Sequence, residues 1–114
     1  MAVGILFGEF NEYDRALQLF GRAVELDPES SEANYDLGLT YSRKKDYRLA
    51  RRYLATAVRA RPNFFEAVAL YGTVLYLLRD DEPAREALRH AHELRIEDRA
   101  VTNILTELER SQPR

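Results

Sequence analysis

Few side chains in this sequence have the types and the spacing that chemistry needs. The best candidates for a metal site are His90 and His92, with Glu86 four residues before His90. Residues two apart on a helix point to nearly opposite sides, whereas the ligands of one ion want a spacing of three or four. Glu86 and His90 have that spacing but supply only two ligands. We therefore expect no metal site, and we expect both histidines at the surface.

The sequence does not predict a catalytic centre either. The chain has 114 residues and no cysteine, so it has no thiol nucleophile and no disulfide. Its glycines are scattered rather than clustered in a loop that could cradle phosphates, and no serine lies in a nucleophile elbow. The carboxylates stand mostly at positions typical of surfaces and helix caps. We expect a protein that is not an enzyme and that uses no cofactor.

A basic run in the middle of the chain is its most asymmetric feature. The formal net charge is −2, yet residues 1–36, 37–61 and 62–114 sum to −6, +7 and −3. The eight cations of the run are Arg43, Lys44, Lys45, Arg48, Arg51, Arg52, Arg59 and Arg61. Aromatic side chains that could stack on bases are not interleaved with these cations. We favour a solvated face over an acidic partner surface or nucleic acid. The acids expected to neutralise this face in part are Glu25, Asp27 and Glu82.

No apolar stretch approaches the roughly 18 residues that a membrane span needs. The longest one near the start, Ala2 to Phe7, is short and is soon followed by Glu9. No Lys or Arg precedes it, as would be expected in a secretory leader. We expect no membrane partner and a cytoplasmic location by default, with the alternative of a mature chain whose leader has been removed.

A fixed period of 34 residues runs through the sequence. It separates Asp27-Pro28 from Arg61-Pro62, and it connects Gly4 to Gly38 and Gly38 to Gly72. The same step relates four further sets of residues: Phe7, Tyr41 and Leu75; Ala16, Ala50 and Ala84; Phe20, Leu54 and Leu88; and Ala23, Ala57 and Ala91. Small residues suit places where two helices approach closely, and large ones fill the space between the helices. Each repeat then forms a helix pair that must stack on its neighbours to bury its apolar face.

The most complete copy runs from Leu37-Gly38 through Tyr41, Ala50, Leu54 and Ala57 to Pro62, and it resembles the tetratricopeptide repeat family. The resemblance implies an all-α fold, a right-handed α-α superhelix of antiparallel helix hairpins. It covers nearly the whole chain.

We expect one domain over residues 1–114, with about three repeats and a C-terminal capping helix. The predicted parts are a truncated first repeat at 1–29, repeats at 30–63 and 64–97, and a C-terminal helix and tail at 98–114. The last helix is alternatively a fourth repeat cut in half. We predict seven helices and no strands, because the first repeat should contain a leading helix of at most ten residues and a second helix over 13–26. The short first copy indicates a fragment of a longer array, unless Met1 is a natural start.

Two local signals mark predicted helix starts. Ser30 or Ser31 can cap the helix that contains Tyr35, and Asn63 with Glu66 three residues later has the pattern of a capping box.

In the family, the first helix of each pair lines a concave groove that binds peptides of partner proteins. Carried over by spacing, the candidate groove residues are Ile5, Glu9, Tyr35, Asp36, Leu39, Arg43, Glu66, Leu70, Thr73, Tyr76 and Leu77.

One subtype of the family captures a chaperone's C-terminal carboxylate with Lys, Asn and Arg. The matching positions in this chain are Met1, Ile5, Asp36, Glu66 and Leu70. Because two of these are acids, we expect a ligand with apolar side chains and a basic group.

The resemblance therefore implies a protein-interaction scaffold whose partner is a protein or peptide. The alternative is an assembly module whose apolar N-terminal end stacks on a second copy or on preceding repeats. The residues of that end are Ile5, Leu6, Phe7 and Phe10. An exposed apolar end favours such self-association.

Overall fold

The structure, a computed structural model, describes the backbone of residues 2–111 and the side chains of residues 12–111. Its six helices are α1 (Ala2–Leu26), α2 (Ser31–Arg43), α3 (Tyr47–Ala60), α4 (Phe65–Leu77), α5 (Asp81–Leu94) and α6 (Arg99–Arg110). Residues 2–111 contain no strand. The prediction of an all-α helical repeat fold is confirmed.

The two complete hairpins, α2–α3 and α4–α5, have the same turn. Lys45 and Arg79 lie 34 residues apart and both have a left-handed backbone, with φ of 65° and 64°. The residue that follows each of them donates its N–H to a carbonyl of the preceding helix at 2.9 Å. This geometry closes the last turn of the first helix and returns the chain antiparallel to it.

Aspartate and serine side chains cap three of the helices. Ser30 accepts a hydrogen bond from the Ala33 N–H at 3.1 Å, and Asp98 accepts one from Val101 at 3.0 Å. The capping box predicted at Asn63 is wrong, because α4 begins at Phe65 and has no side-chain cap. The residues before α4 form a backbone turn instead, in which the Phe64 N–H donates to Arg61.

Glycine lets the two helices of each hairpin pack against a large side chain. A Cβ atom on Gly38 would lie 2.6 Å from Cγ of Leu54, and one on Gly72 would lie 2.7 Å from Cγ of Leu88. Both leucines are fully buried, with an exposure of 0%. A closed core leaves such side chains little room to move. The 34-residue step in the sequence thus corresponds to the same contact made twice.

The hairpins share one apolar core. Ala50 and Leu54 of α3 pack with Val74 of α4, and Tyr71 of α4 reaches both this cluster and the next one. The second cluster joins α4 and α5 to α6. The α6 residues buried in it are Val101, Leu105 and Leu108. The last helix therefore covers the apolar face that α4 and α5 leave open.

The helices form two layers, and the stack is curved. Some Cα atoms of α2 lie within 8 Å of α4, and the same holds for α4 and α6. No Cα atoms of α3 and α5 approach that closely. Because the first helices of successive pairs are nearer to each other than the second helices, α2, α4 and α6 form the inner layer. The outer layer contains α3 and α5, and α1 packs against α2.

The number of helices differs from the prediction. One helix, α1, runs without a break from Ala2 to Leu26, where we predicted two. Asp46 and Asp80 stand just before α3 and α5, and the equivalent residue is Glu12. Glutamate is a good helix former and a poor N-cap, so the sequence there does not favour a helix start. The division of the chain into repeats stays a prediction from spacing.

The glycine contacts lead to a test with a built-in control. Gly38→Ala should lower the free energy of unfolding by about 1–3 kcal/mol, because overpacking outweighs the better helix propensity of alanine. Gly21→Ala in α1 should raise it by up to about 1 kcal/mol, since an added Cβ there meets no atom within 4 Å. Urea unfolding of both variants measures the difference. Equal effects at the two positions would contradict the close contact at Gly38.

Candidate functional site

The predicted groove residues with described side chains all come from the two inner helices α2 and α4. Six of them are half-buried, which places them between the core and the solvent. These six are Tyr35, Asp36, Leu39, Leu70, Thr73 and Tyr76. Arg43, Glu66 and Leu77 are exposed. The side chains of Ile5 and Glu9 lie outside the described residues.

Tyr35 lies where polar and apolar parts of this surface meet. Its ring centroid is 5.0 Å from that of Phe64, at the start of the next hairpin. Burial raises the pKa of the Tyr35 hydroxyl, and the negative charges of Glu66 and Asp36 raise it further, while Arg43 acts in the opposite direction. The structure therefore brings four of the predicted residues within electrostatic reach of one another.

Asp36 is the acid of this group that has no cation beside it. No Lys, Arg or His nitrogen in residues 12–111 makes an ion pair with its carboxylate. Burial raises the pKa of Asp36, and the neighbouring Glu32 raises it further. A positive group placed here would be attracted by both acids.

Glu66 already has a partner. Nη2 of Arg95 lies 3.2 Å from its carboxylate, and the same guanidinium lies 4.3 Å from the ring centroid of Phe65. Arg95 follows α5 directly, so the contact ties the turn before α6 to the start of α4. Residue spacing does not predict this pair, because the two residues are 29 positions apart in the chain.

The α4 residues contribute to the fold as well as to the surface. Leu70 packs against the Ala50–Leu54–Val74 cluster, and Tyr76 packs against the cluster shared with α6. The Thr73 hydroxyl donates to the Ala69 carbonyl at 2.8 Å, so its proton is already committed. These residues are held in place by the core, and they offer few hydrogen-bond donors to a ligand.

The ends of α4 and α6 form a groove of about 390 Å³, of whose walls we predicted only Tyr76 and Leu77. Its walls are Tyr76, Leu77, Arg79, Asp81, Glu107, Leu108 and Ser111. Glu107 lies one period after Thr73 and two after Leu39. Extending the 34-residue step into α6 would have identified it as an inner-layer residue.

We predicted both histidines at the surface, but the structure places them partly inside the protein. Both are half-buried, and Nε2 of His90 lies 2.8 Å from the Pro62 carbonyl oxygen in the α3–α4 turn. Nδ1 of His92 is buried without a hydrogen-bond partner among the described residues. Within residues 12–111, no three His, Asp or Glu side chains are grouped as a metal site would need.

None of the described helices is long and apolar enough to cross a membrane.

The basic run is less neutralised than we predicted. Among its cations, only Lys44 makes an ion pair with an acid in the described part of the chain, with Asp14 at 4.0 Å. The expected neutralisation by Glu25, Asp27 and Glu82 is wrong, because Glu82 pairs with Arg85 of its own helix and the other two make no ion pair there. The outer face of α3 is thus a basic surface.

Comparisons with solved structures give the same fold. The first TPR domain of Spaghetti (RPAP3), bound to an HSP90 peptide, has a TM-score of 0.82 and 20% identity, over 96% of this chain and 87% of that one. The Yersinia enterocolitica secretion chaperone SycD, in complex with a YopD peptide, has a TM-score of 0.80 and 16% identity, over 98% and 91%. MamA AMB-1 has a TM-score of 0.80 and 25% identity, over 95% and 59%.

No curated protein matches the chain significantly. The family model of the tetratricopeptide repeat matches residues 9–71, which is more than half of the sequence. With this match and the paired helices around Gly38 and Gly72, the chain belongs to the tetratricopeptide repeat family.

Proposed function

We propose that this protein is a non-catalytic scaffold that binds a partner peptide or helix against its inner layer. The observation that carries the proposal is the set of half-buried side chains on neighbouring faces of α2 and α4, led by Tyr35, Leu39 and Thr73. Two of the structurally similar domains hold peptides, one from HSP90 and one from YopD. These complexes support a peptide ligand, and the half-buried surface supports its location.

A preformed surface suits this role. The inner helices are fixed by the core beneath them, so a ligand need not order them when it binds. Association then loses less conformational entropy on the protein side. An extended segment or a helix can be held by modest apolar contacts at Leu39 and Leu70, flanked by charge.

The charges favour a ligand with a basic group. Asp36 has no cation beside it in the described part of the chain, whereas Glu66 is held by Arg95. Asp36 is therefore the stronger candidate of the two acids that we predicted from the sequence. An acidic peptide terminus at this place would be repelled by Asp36 and Glu32.

The second candidate function, assembly through the apolar N-terminal end, stays a prediction from the sequence. Its residues precede the described side chains. Light scattering distinguishes the two candidate functions. Assembly through this end predicts a dimer that is lost in Phe7→Glu and kept in Leu39→Glu.

Binding can be measured with peptides selected from a random-sequence array by the unmodified chain. Tyr35→Ala and Leu39→Ala should each weaken the selected peptides about tenfold or more, as expected for anchor residues. Tyr13→Ala and Leu19→Ala are matched controls on α1, where both side chains are exposed. Circular dichroism melting confirms that each variant is folded. Unchanged affinity in Tyr35→Ala and Leu39→Ala would sink the proposal.

Asp36→Asn should separate stability from binding. Because the pKa of Asp36 is raised, the folded state loses stability as pH rises from the ordinary value of 3.8 through the raised one. Asparagine removes this loss, so the melting temperature should increase at pH 7 and be nearly unchanged below the ordinary pKa. Affinity for selected peptides that contain Lys or Arg should fall. A lower melting temperature at pH 7, or unchanged affinity, would count against the role given to Asp36.

A further inference from the structure

The outer faces of α3 and α5 carry opposite charges at equivalent positions. The exposed residues of α3 include Arg48, Arg52 and Arg59, and one period later those of α5 include Glu82, Glu86 and Glu93. We call these the arginine stripe and the glutamate stripe. The same three places on two parallel helices thus form one positive and one negative line. Helix α5 also exposes Asp81 and Arg89, and the Arg89 guanidinium is turned towards α6, where it pairs with Glu109 at 3.0 Å.

Both stripes point away from the core. On α3 they lie opposite the buried Ala50, Leu54 and Ala57, and on α5 they lie opposite Ala84, Leu88 and Ala91. Eleven residues separate the first and last members of each stripe, which is about 16 Å along a helix. The two lines therefore have the same length and the same internal spacing.

The stripes do not neutralise each other within one chain. The helices have no Cα atoms within 8 Å of each other, and no ion pair joins them. No carboxylate in residues 12–111 makes an ion pair with the arginine stripe. Glu82 pairs with Arg85, and Glu93 lies 3.7 Å from His90, so only part of the glutamate stripe is engaged.

A groove of about 240 Å³ lies between α3 and α5, and most of its exposed wall is apolar. Val58 of α3 and Ala87 of α5 are on its sides, and Tyr71 of α4 is in its floor. The two charged lines therefore flank a strip of apolar surface. This arrangement provides both charge and apolar contact area.

The alternation of charge selects the kind of partner. A uniformly anionic surface, such as a lipid bilayer or a nucleic acid, would gain contacts with the arginines but would be repelled by the glutamates beside them. The fitting partner carries a negative line next to a positive line at the same spacing. This chain is itself such a surface.

We propose that a second copy of this chain docks on the α3–α5 face, related to the first by a two-fold axis through the groove. The axis runs along the groove, parallel to both helices, so α3 lies against α5 of the second copy in the same direction. Arg48 then lies near Glu82 of the second copy, and Arg59 lies near its Glu93. Symmetry repeats both contacts, so each stripe meets its opposite. The inner layer stays free, and the inference does not depend on the proposed peptide binding.

Sedimentation velocity over a concentration series tests this pairing. The unmodified chain should dimerise in about 25 mM salt and weaken at least about tenfold in about 500 mM salt, where charge interactions are screened within a few ångströms. Two double variants, R52E/R59E and E86R/E93R, should each be monomeric, since each faces like charge in its own dimer. They leave Glu82 and its buried partner Arg85 in place.

Mixing the two double variants supplies the decisive result. Both contacts in the mixed dimer join opposite charges, so the mixture should dimerise although neither component does. A monomeric unmodified chain at low salt would overturn the proposal. So would a dimer that survives in either variant, or a mixture that stays monomeric while circular dichroism shows both variants folded. Binding to anionic vesicles without dimerisation would assign the arginine stripe to a different partner and would also overturn it.

Discussion

The close contact between a glycine on the first helix and a buried leucine on the second is the constraint on which the structure depends. At Gly38 and Gly72 there is no room for a side chain, because Leu54 and Leu88 occupy that space. The contact sets the distance between the helices of each pair. Since it recurs at the same place in two successive pairs, the pairs are alike and can stack in register. The layers, their curvature and the shared core follow from this repetition.

Stacking in register also repeats the surface, and this gives the molecule two different faces. On the inner layer, Leu39, Thr73 and Glu107 occupy equivalent positions on three helices. On the outer layer, Arg52 and Glu86 do so on two. One step of 34 residues therefore brings side chains that are far apart in the chain to neighbouring places. Substitution at these surface positions changes what the face can bind without altering the contacts that hold the helices together.

The helix pairs depend on residue spacing and could be predicted from the sequence. Helix boundaries and contacts between side chains far apart in the chain could not. The period and its small and large residues were enough to predict the helix pairs. The unbroken α1 was missed because periodicity marks apolar faces, whereas a helix boundary depends on caps, and Glu12 is not one. The pairing of Glu66 with Arg95 and the contact of His90 with Pro62 were also missed. Such contacts are made by long or turn-facing side chains whose direction spacing does not describe.

The proposed division of labour between the two layers can be tested most directly by nuclear magnetic resonance. A ¹⁵N-labelled chain would be titrated with a peptide selected from a random-sequence display library, in salt high enough to suppress association of copies. We expect amide shift changes around Tyr35, Leu39 and Thr73, with Arg52 and Glu86 unaffected. Changes confined to α3 and α5 would contradict a binding site on the inner layer, because the peptide would then occupy the outer layer.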